Sequence, residues 1–197
     1  MYDVLIIGAG PGGIFSAYEL IRQNPQLKVG VFEAGHELNK RKCPIDGKKF
    51  KTCIGCKSCS IMSGFGGAGA FSDGKYNITN DFGGTLYEYI GKKNALELMR
   101  YVDDINMAFG GEGTKLYTTA GSHIKKMCLQ NDLHLLDASV RHLGTDINYV
   151  VLENLYAYLK EKVDFFFDTP VETVRVTEDG YELTARGQTF SCKDCVI

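Results

Sequence analysis

Strong net charge is the first feature that this sequence lacks. Its 197 residues carry a formal net charge of −2, so no electrostatic argument favours nucleic acid or an anionic membrane as a partner. Long apolar runs are also missing, because no uncharged stretch is long enough to cross a bilayer. Too few residues precede the first apolar run for a secretory leader, and we therefore expect a cytoplasmic protein.

The seven cysteines consequently have no secretory context. Without that context, cysteines are more often reduced thiols or ligands than members of a disulfide framework. Internal repeats and low-complexity tails are missing as well. The composition, with 44% hydrophobic and 23% charged residues, suits one globular α/β domain with a small subdomain.

The most informative motif that is present lies at the N-terminus. Residues 3–7 predict a buried strand, residues 8–13 (GAGPGG) fit the pattern G-x-G-x-x-G, and a helical pattern follows directly. This order is the binding unit for a dinucleotide diphosphate, which lies against the N–H groups at the helix start. In this unit, the first glycine permits the tight turn, the second lets the backbone approach the phosphates, and the third lets the helix pack close to the strand. The predicted cofactor contacts here are Gly8, Gly10, Pro11, Gly12 and Gly13.

A second apolar run, residues 28–32, ends at Glu33, about twenty residues after Gly13. A carboxylate at this place accepts hydrogen bonds from ribose hydroxyls and repels a 2′-phosphate. The alternative is a surface glutamate beside a chance glycine turn. The combined pattern predicts a dinucleotide with an unphosphorylated ribose, but it does not separate FAD from NAD.

Hydrophobic spacing predicts the remaining elements. In chain order they are a loop-like region 34–84, helices over 85–109, 122–130 and 145–162, a strand at 133–136, a strand at 164–167, an antiparallel meander over 171–191, and a strand beginning at 194. Because nothing follows this last strand, we expect the chain to be the N-terminal part of a longer protein or one piece of a split one.

The predicted fold is a Rossmann-like, three-layer α/β domain with a parallel sheet and a small antiparallel meander. We divide it into residues 1–84, which hold the first part of the core with a Gly/Cys-rich loop at 43–75, an inserted and mainly helical region 85–163, and residues 164–197. The last part holds the third strand, the meander and the start of the fourth strand.

This order resembles the glutathione-reductase type of flavoprotein with two dinucleotide-binding domains, in which a meander precedes the fourth strand. The chain is more similar still to the bacterial and archaeal family of uncharacterised FAD-dependent dehydrogenases. The motifs that carry the resemblance are residues 6–13, 41–45, 53–59, 60–75 and 141–146. The resemblance implies FAD bound by the glycine turn and Glu33, with the isoalloxazine ring beside residues 63–75. Members of the family are substantially longer than this chain, so the resemblance implies that a second FAD-contacting segment lies outside these residues.

The glycine-rich block, defined here as residues 63–75, has little side-chain bulk. Glycine lets a backbone lie against a flat ring or a phosphate and point N–H groups at it. We expect contacts from Ser63, Gly64, Gly66 and Gly67, although a flexible linker is the alternative. Arg41 and Lys42 follow Glu33 in the sequence. We expect them to pair with the adenosine end or the diphosphate of the cofactor, or else to form a solvated basic face.

Cys53-x-x-Cys56-x-x-Cys59, with Cys43 upstream, is the second constellation. Two-residue spacing lets thiolates share one iron–sulfur cluster or one zinc ion. A redox dithiol, formed by Cys53 and Cys56 or by Cys56 and Cys59, is a further interpretation, which makes Cys56 a catalytic candidate. Plain reduced thiols are the remaining one, and we assign Cys128, Cys192 and Cys195 to it.

The segment 141–146 (RHLGTD) precedes a predicted helix. Arg141 and His142 are candidates for holding an anionic substrate group, and His142 is a candidate for passing a proton to reduced flavin. A capping turn with an incidental histidine is the alternative. The leading hypothesis is thus an FAD-dependent oxidoreductase domain, acting with a small-molecule substrate or redox partner. An NAD-binding protein of the same fold and a non-enzymatic metal or iron–sulfur module are the competing hypotheses.

Overall fold

The computed structural model describes all residues 1–197, which fold into two compact units. The first unit consists of Met1–Phe71 and Leu152–Ile197, and the second of Ser72–Val151. The domain boundaries expected from the sequence, at 84/85 and 163/164, stay a prediction. No helix combines the length and the apolar character that a membrane crossing would need.

The first unit is built on a six-stranded sheet. Its strands are β1 (Tyr2–Ile7), β2 (Val29–Phe32), β6 (Asp164–Phe166), β7 (Val171–Thr177), β8 (Gly180–Ala185) and β9 (Gln188–Val196), in the spatial order β6-β2-β1-β9-β8-β7. The first four strands of this order run parallel, and β9, β8 and β7 form the antiparallel meander. The predicted α/β fold with a parallel sheet and a small meander is confirmed.

Strand β9 differs from the prediction, because one continuous strand replaces the third meander strand and the separate fourth strand. Its first half pairs antiparallel with β8, and its second half pairs parallel with β1. Cys192 lies at the change, with Tyr181 as its partner on one side and Tyr2 on the other. The expected break at residues 192–193 is not formed, because the strand pairing with β8 passes directly into the pairing with β1.

Both faces of the parallel strands are covered, and all four residues of β2 are buried. Helix α1 (Pro11–Gln23) packs against β1 and β2, and the rings of its Tyr18 and of Tyr158 lie 5.8 Å apart. On the other face, Leu5 and Phe32 pack with residues of the meander, among them Leu183, Ala185 and Cys192.

The second unit combines helices with a sheet that the sequence patterns did not predict. Its elements are β3 (Lys75–Ile78), α2 (Leu86–Ile90), α3 (Lys92–Asn106), a π-helical turn (Met107–Gly111), β4 (Leu116–Thr118), α4 (His123–Gln130), β5 (Ser139–His142) and the first half of α5 (Gly144–Leu159). Strands β3, β5 and β4 pair antiparallel. The strand expected at 133–136 is not formed, and α5 begins one residue before the expected Thr145.

Candidate functional site

The glycine turn between β1 and α1 has the geometry that its sequence predicts. Gly8 has a φ of +100°, a conformation that side-chain-bearing residues rarely adopt, and its N–H donates to the Phe32 carbonyl at 2.7 Å. Helix α1 begins at Pro11, and no side chain caps its start. The amides of the first turn are therefore available to an anion, which the positive end of the helix dipole also favours.

The glycines of this turn fall into two groups according to what a Cβ atom would meet. At Gly13 a Cβ would lie 1.9 Å from the Gly8 carbonyl oxygen, so close packing of helix and turn requires glycine there. At Gly10 and Gly12 a Cβ would meet nothing within 4 Å. Contacts within the chain thus explain Gly13 but not Gly10 or Gly12, and a ligand lying against the backbone would explain the latter two.

Glu33 lies at the end of β2 and is buried, with only 7% of its surface exposed. Its Oε2 accepts the Ala9 N–H at 2.7 Å. Its Oε1 accepts the N–H groups of Gly35 at 2.7 Å and Gly64 at 2.9 Å. One carboxylate therefore ties together the glycine turn, the chain after β2 and the glycine-rich block. Since a carboxylate offers about four acceptor positions, roughly one remains on Oε2 for a ribose hydroxyl.

The glycine-rich block packs directly against the glycine turn. The Gly66 N–H donates to the Ala9 carbonyl at 2.8 Å, and a Cβ on Gly67 would lie 3.3 Å from the Gly10 Cα. Gly64 has a φ of +115°, and a Cβ there would lie 2.5 Å from the His36 carbonyl oxygen. Ser63 is half-buried and donates its N–H to the Cys59 carbonyl at 2.7 Å. A backbone packed this closely is ordered, which excludes the flexible-linker interpretation for this part of the block.

Arg41 fixes the other side of the block and is buried. Its guanidinium donates to four main-chain carbonyls, those of Ser60 at 2.9 Å, Ile61 at 2.8 Å, Phe65 at 2.7 Å and Gly67 at 2.8 Å. Burial lowers the pKa of this guanidinium. The expected contact of Arg41 with a diphosphate stays a prediction, and the observed contacts are those of a group that shapes the block. Lys42 is exposed.

Two residues that the sequence patterns missed complete this arrangement. Ala9 supplies both a donor to Glu33 and an acceptor for Gly66. Gly35 donates to Glu33, and a Cβ there would lie 2.4 Å from the Gly64 nitrogen. Gly35 stands two positions after Glu33 and within a loop. A glycine at that place signals a close backbone approach.

The four cysteines of the second constellation are free thiols and line one small cavity. Cys43, Cys53 and Cys56 are exposed and Cys59 is half-buried. No group of three histidine, cysteine or acidic side chains is arranged to hold a metal ion. The prediction of an iron–sulfur cluster or zinc ion on these four residues is therefore not supported, because ligation needs three or four donors converging on one point.

Arg141 and His142 have different surroundings in the second unit. The Arg141 guanidinium forms a bidentate pair with Asp103 at 2.6 and 2.7 Å and donates to the Thr114 carbonyl at 2.6 Å. Asp103 raises the pKa of this guanidinium. These contacts are those of a structural ion pair, and the expectation that Arg141 holds an anionic substrate group stays a prediction. His142 is exposed at the end of β5, and its role as a proton carrier stays a prediction.

The sheet topology and the glycine turn together define an α/β fold of the Rossmann type. Glycine oxidase from Geobacillus kaustophilus is similar in structure, with a TM-score of 0.54, 16% identity and alignment over 98% of this chain and 54% of that one. Glycine oxidase from Bacillus cereus ATCC 14579 aligns with a TM-score of 0.50 and 12% identity over 99% and 54%. Identities this low show a shared fold, and the chain spans about half the length of either oxidase.

Sequence comparison adds one partial relative. An uncharacterized protein of Clostridium beijerinckii (strain ATCC 51743 / NCIMB 8052) is 39% identical over 71 residues, which are 36% of this chain and 13% of that protein. No protein-family model matches the chain. The chain therefore has a shared fold with the solved oxidases and a short region of clear sequence similarity to one other protein.

Proposed function

We propose that this chain supplies the dinucleotide-binding part of an FAD-dependent oxidoreductase. The observation that carries the proposal is the glycine turn, whose uncapped helix start lies beside a Gly10 that no contact within the chain requires. The general class agrees with that of the two structural neighbours described above, both of them glycine oxidases. FAD, when bound, supplies the redox chemistry by accepting and passing on a hydride or an electron pair.

Different residues of the first unit bind different parts of the cofactor. The amides at the start of α1 bind the diphosphate, and Gly10 permits its close approach. The remaining acceptor position of Glu33 binds a ribose hydroxyl, and its negative charge disfavours a 2′-phosphate. The glycine-rich block, held by Glu33 and Arg41, presents main-chain groups beside the turn. These groups orient the cofactor and provide fixed dipoles.

The preference for FAD over NAD rests on the glycine-rich block. The block lies against the turn through the Gly66–Ala9 hydrogen bond and the Gly67–Gly10 approach. The glycine turn and Glu33 account for a diphosphate and a ribose, whichever dinucleotide is bound. An ordered, side-chain-poor backbone beside them suits a large flat ring system, which requires close main-chain approach.

A titration with FAD tests the proposal, with Gly10→Ala as the diagnostic variant. Gly10 has φ −73° and ψ −179°, which alanine adopts freely, and its Cβ would meet no atom of the chain. We expect quenching of FAD fluorescence by the wild type and at least about tenfold weaker binding by Gly10→Ala. Its free energy of unfolding should stay within about 0.5 kcal/mol of the wild-type value.

The companion variant Gly13→Ala separates folding from binding. Its Cβ would lie 1.9 Å from the Gly8 carbonyl oxygen, so we expect lower stability as well as lost binding. A parallel titration with NAD⁺ completes the set. The proposal is contradicted if the wild-type chain binds neither cofactor or prefers NAD⁺. It is also contradicted if Gly10→Ala binds FAD as tightly as the wild type.

A further inference from the structure

The cavity lined by Cys43, Cys53, Cys56 and Cys59 has a volume of about 100 Å³. Pro44, Ile45 and Ile54 supply apolar walls. Sites for organic ligands are typically about 300–1,000 Å³, so this cavity is too small for a substrate. Four free thiols line this one small cavity, and Cys43 comes from a position upstream of the other three in the sequence.

Two kinds of thiol chemistry use such a cluster, and they differ in how many sulfur atoms must meet. A metal ion or cluster needs three or four converging donors, and the chain shows no such group. A disulfide needs only two sulfur atoms, and its formation leaves the other thiols free. The arrangement therefore favours disulfide chemistry over metal binding.

Cys59 is the thiol best prepared to react. It begins the turn 59–63, in which its carbonyl accepts the N–H groups of Met62 at 3.0 Å and Ser63 at 2.7 Å. The amides of Met62 and Ile61, followed by the nearby Arg41 guanidinium, lower the pKa of the Cys59 thiol. The thiolate is the reactive form of cysteine, and positive surroundings at a partly exposed position are typical of reactive thiols.

We propose that Cys59 and Cys56 form a peroxide-sensitive dithiol. Cys56 is the partner because it lines the same cavity, is exposed, and is separated from Cys59 by only two residues, which keeps the entropy of loop closure small. Gly55, with a φ of +64°, directly precedes it and gives the backbone freedom to turn. This inference does not depend on the cofactor proposed above.

The chemistry balances with hydrogen peroxide as the oxidant. The Cys59 thiolate attacks one peroxide oxygen, the O–O bond breaks, hydroxide leaves, and a sulfenic acid forms on Cys59. The Cys56 thiolate then attacks the Cys59 sulfur, the S–O bond breaks, and hydroxide leaves again. With the two thiol protons the products are one disulfide and two water molecules, so the protein loses two electrons and the peroxide gains them.

Thiol counting and peptide mapping test the proposal on the whole chain. Protein treated with hydrogen peroxide in the presence of a chelator is denatured, and its free thiols are titrated. We expect two of the seven thiols to be lost. Trypsin cleaves after Lys57, so a Cys56–Cys59 disulfide links two tryptic peptides that separate on reduction. Fragment-ion spectra distinguish Cys56 from Cys53, which lies in the same peptide.

Three variants sharpen the result. In Cys56→Ser the sulfenic acid on Cys59 should persist and be captured by dimedone, and in Cys59→Ser the thiol at Cys56 should survive the same dose. Cys128→Ser, a half-buried cysteine outside the cavity, should behave as the wild type. Linkage of Cys59 to another cysteine, equal oxidation of Cys59 and Cys128, or stoichiometric zinc or iron in the purified protein would overturn the proposal.

Discussion

At the scale of single residues, Glu33 combines a proposed ribose contact with a structural role that the sequence did not indicate. A glutamate at the end of the second strand predicts a ribose contact, and nothing in the local pattern indicates its hydrogen bonds to three main-chain amides. These amides come from positions 9, 35 and 64, so the arrangement depends on a loop far along the chain. The burial of Glu33 follows from this convergence.

Replacement of Glu33 by alanine should therefore destabilise the protein. The change leaves three amides without their acceptor, and a buried donor left unpaired costs about 1–3 kcal/mol. We expect the free energy of unfolding in urea to fall by about 3 kcal/mol or more. Glu33→Gln, which keeps one carbonyl oxygen, should lose less.

Glu172→Ala provides the control, because Glu172 is exposed on β7 and should change stability by no more than about 0.5 kcal/mol. If Glu33→Ala unfolds together with this control, the three hydrogen bonds do not organise the site.

Arg41 illustrates the same limit on sequence interpretation. A cation placed shortly after Glu33 suggests an anionic partner, but carbonyl oxygens are equally good acceptors for a guanidinium. The carbonyls of residues 60, 61, 65 and 67 take four of its donors. Only the folded path of the glycine-rich block brings them to one place. By contrast, the conformation of Gly8 and the close packing at Gly13 follow from local rules, and both were predictable.

At the scale of elements, parallel strands and helices with strong periodicity were predictable and short strands were not. Residues 3–7, 28–32 and 164–167 are apolar runs between turn signals, and each forms a strand of the expected parallel sheet. Strand β5 instead pairs with β3, with Lys75 opposite His142. The side chains of β5 do not alternate clearly between apolar and polar residues. Its pairing partners are distant in the sequence, so no local pattern predicts the pairing.

The ion pair between α3 and β5 allows a test at this scale. Asp103 and Arg141 expose only 7% and 12% of their side chains and bind in bidentate fashion. Asp103→Asn leaves the Arg141 charge without its partner in a desolvated place. Loss of one partner of a buried pair typically costs about 3–5 kcal/mol, so we expect a decrease of that size in the free energy of unfolding measured in urea.

The neighbouring Asp104 offers a matched control, since it is exposed on the same helix. Asp104→Asn removes an equal charge without breaking the bidentate pair and should cost less than about 1 kcal/mol. Equal losses for the two variants would indicate that net charge, rather than the buried pair, controls stability here.

At the scale of the whole molecule, the buried apolar residues are concentrated in the first unit. Strands β1, β2 and β8 contribute Leu5, Phe32 and Leu183, each with at most 1% of its surface exposed. In the second unit, helices α2 and α4 contain no buried residue. The same sequence therefore provides one well-packed framework around the glycine turn and one unit with much less apolar burial, which implies unequal local stability.

Hydrogen exchange should reveal this inequality directly. Amides of β1 and β2 exchange only when the core opens, an event that costs the global free energy of about 5 kcal/mol or more. Amides of α4 depend on a Ser122 cap and on exposed side chains such as Ile124 and Met127, so this helix should open at far lower cost. We expect protection factors measured by mass spectrometry to differ by a factor on the order of 10³ between the two sets. Comparable protection in α4 and β1 would mean that the second unit gains its stability from packing beyond the side-chain burial described for it.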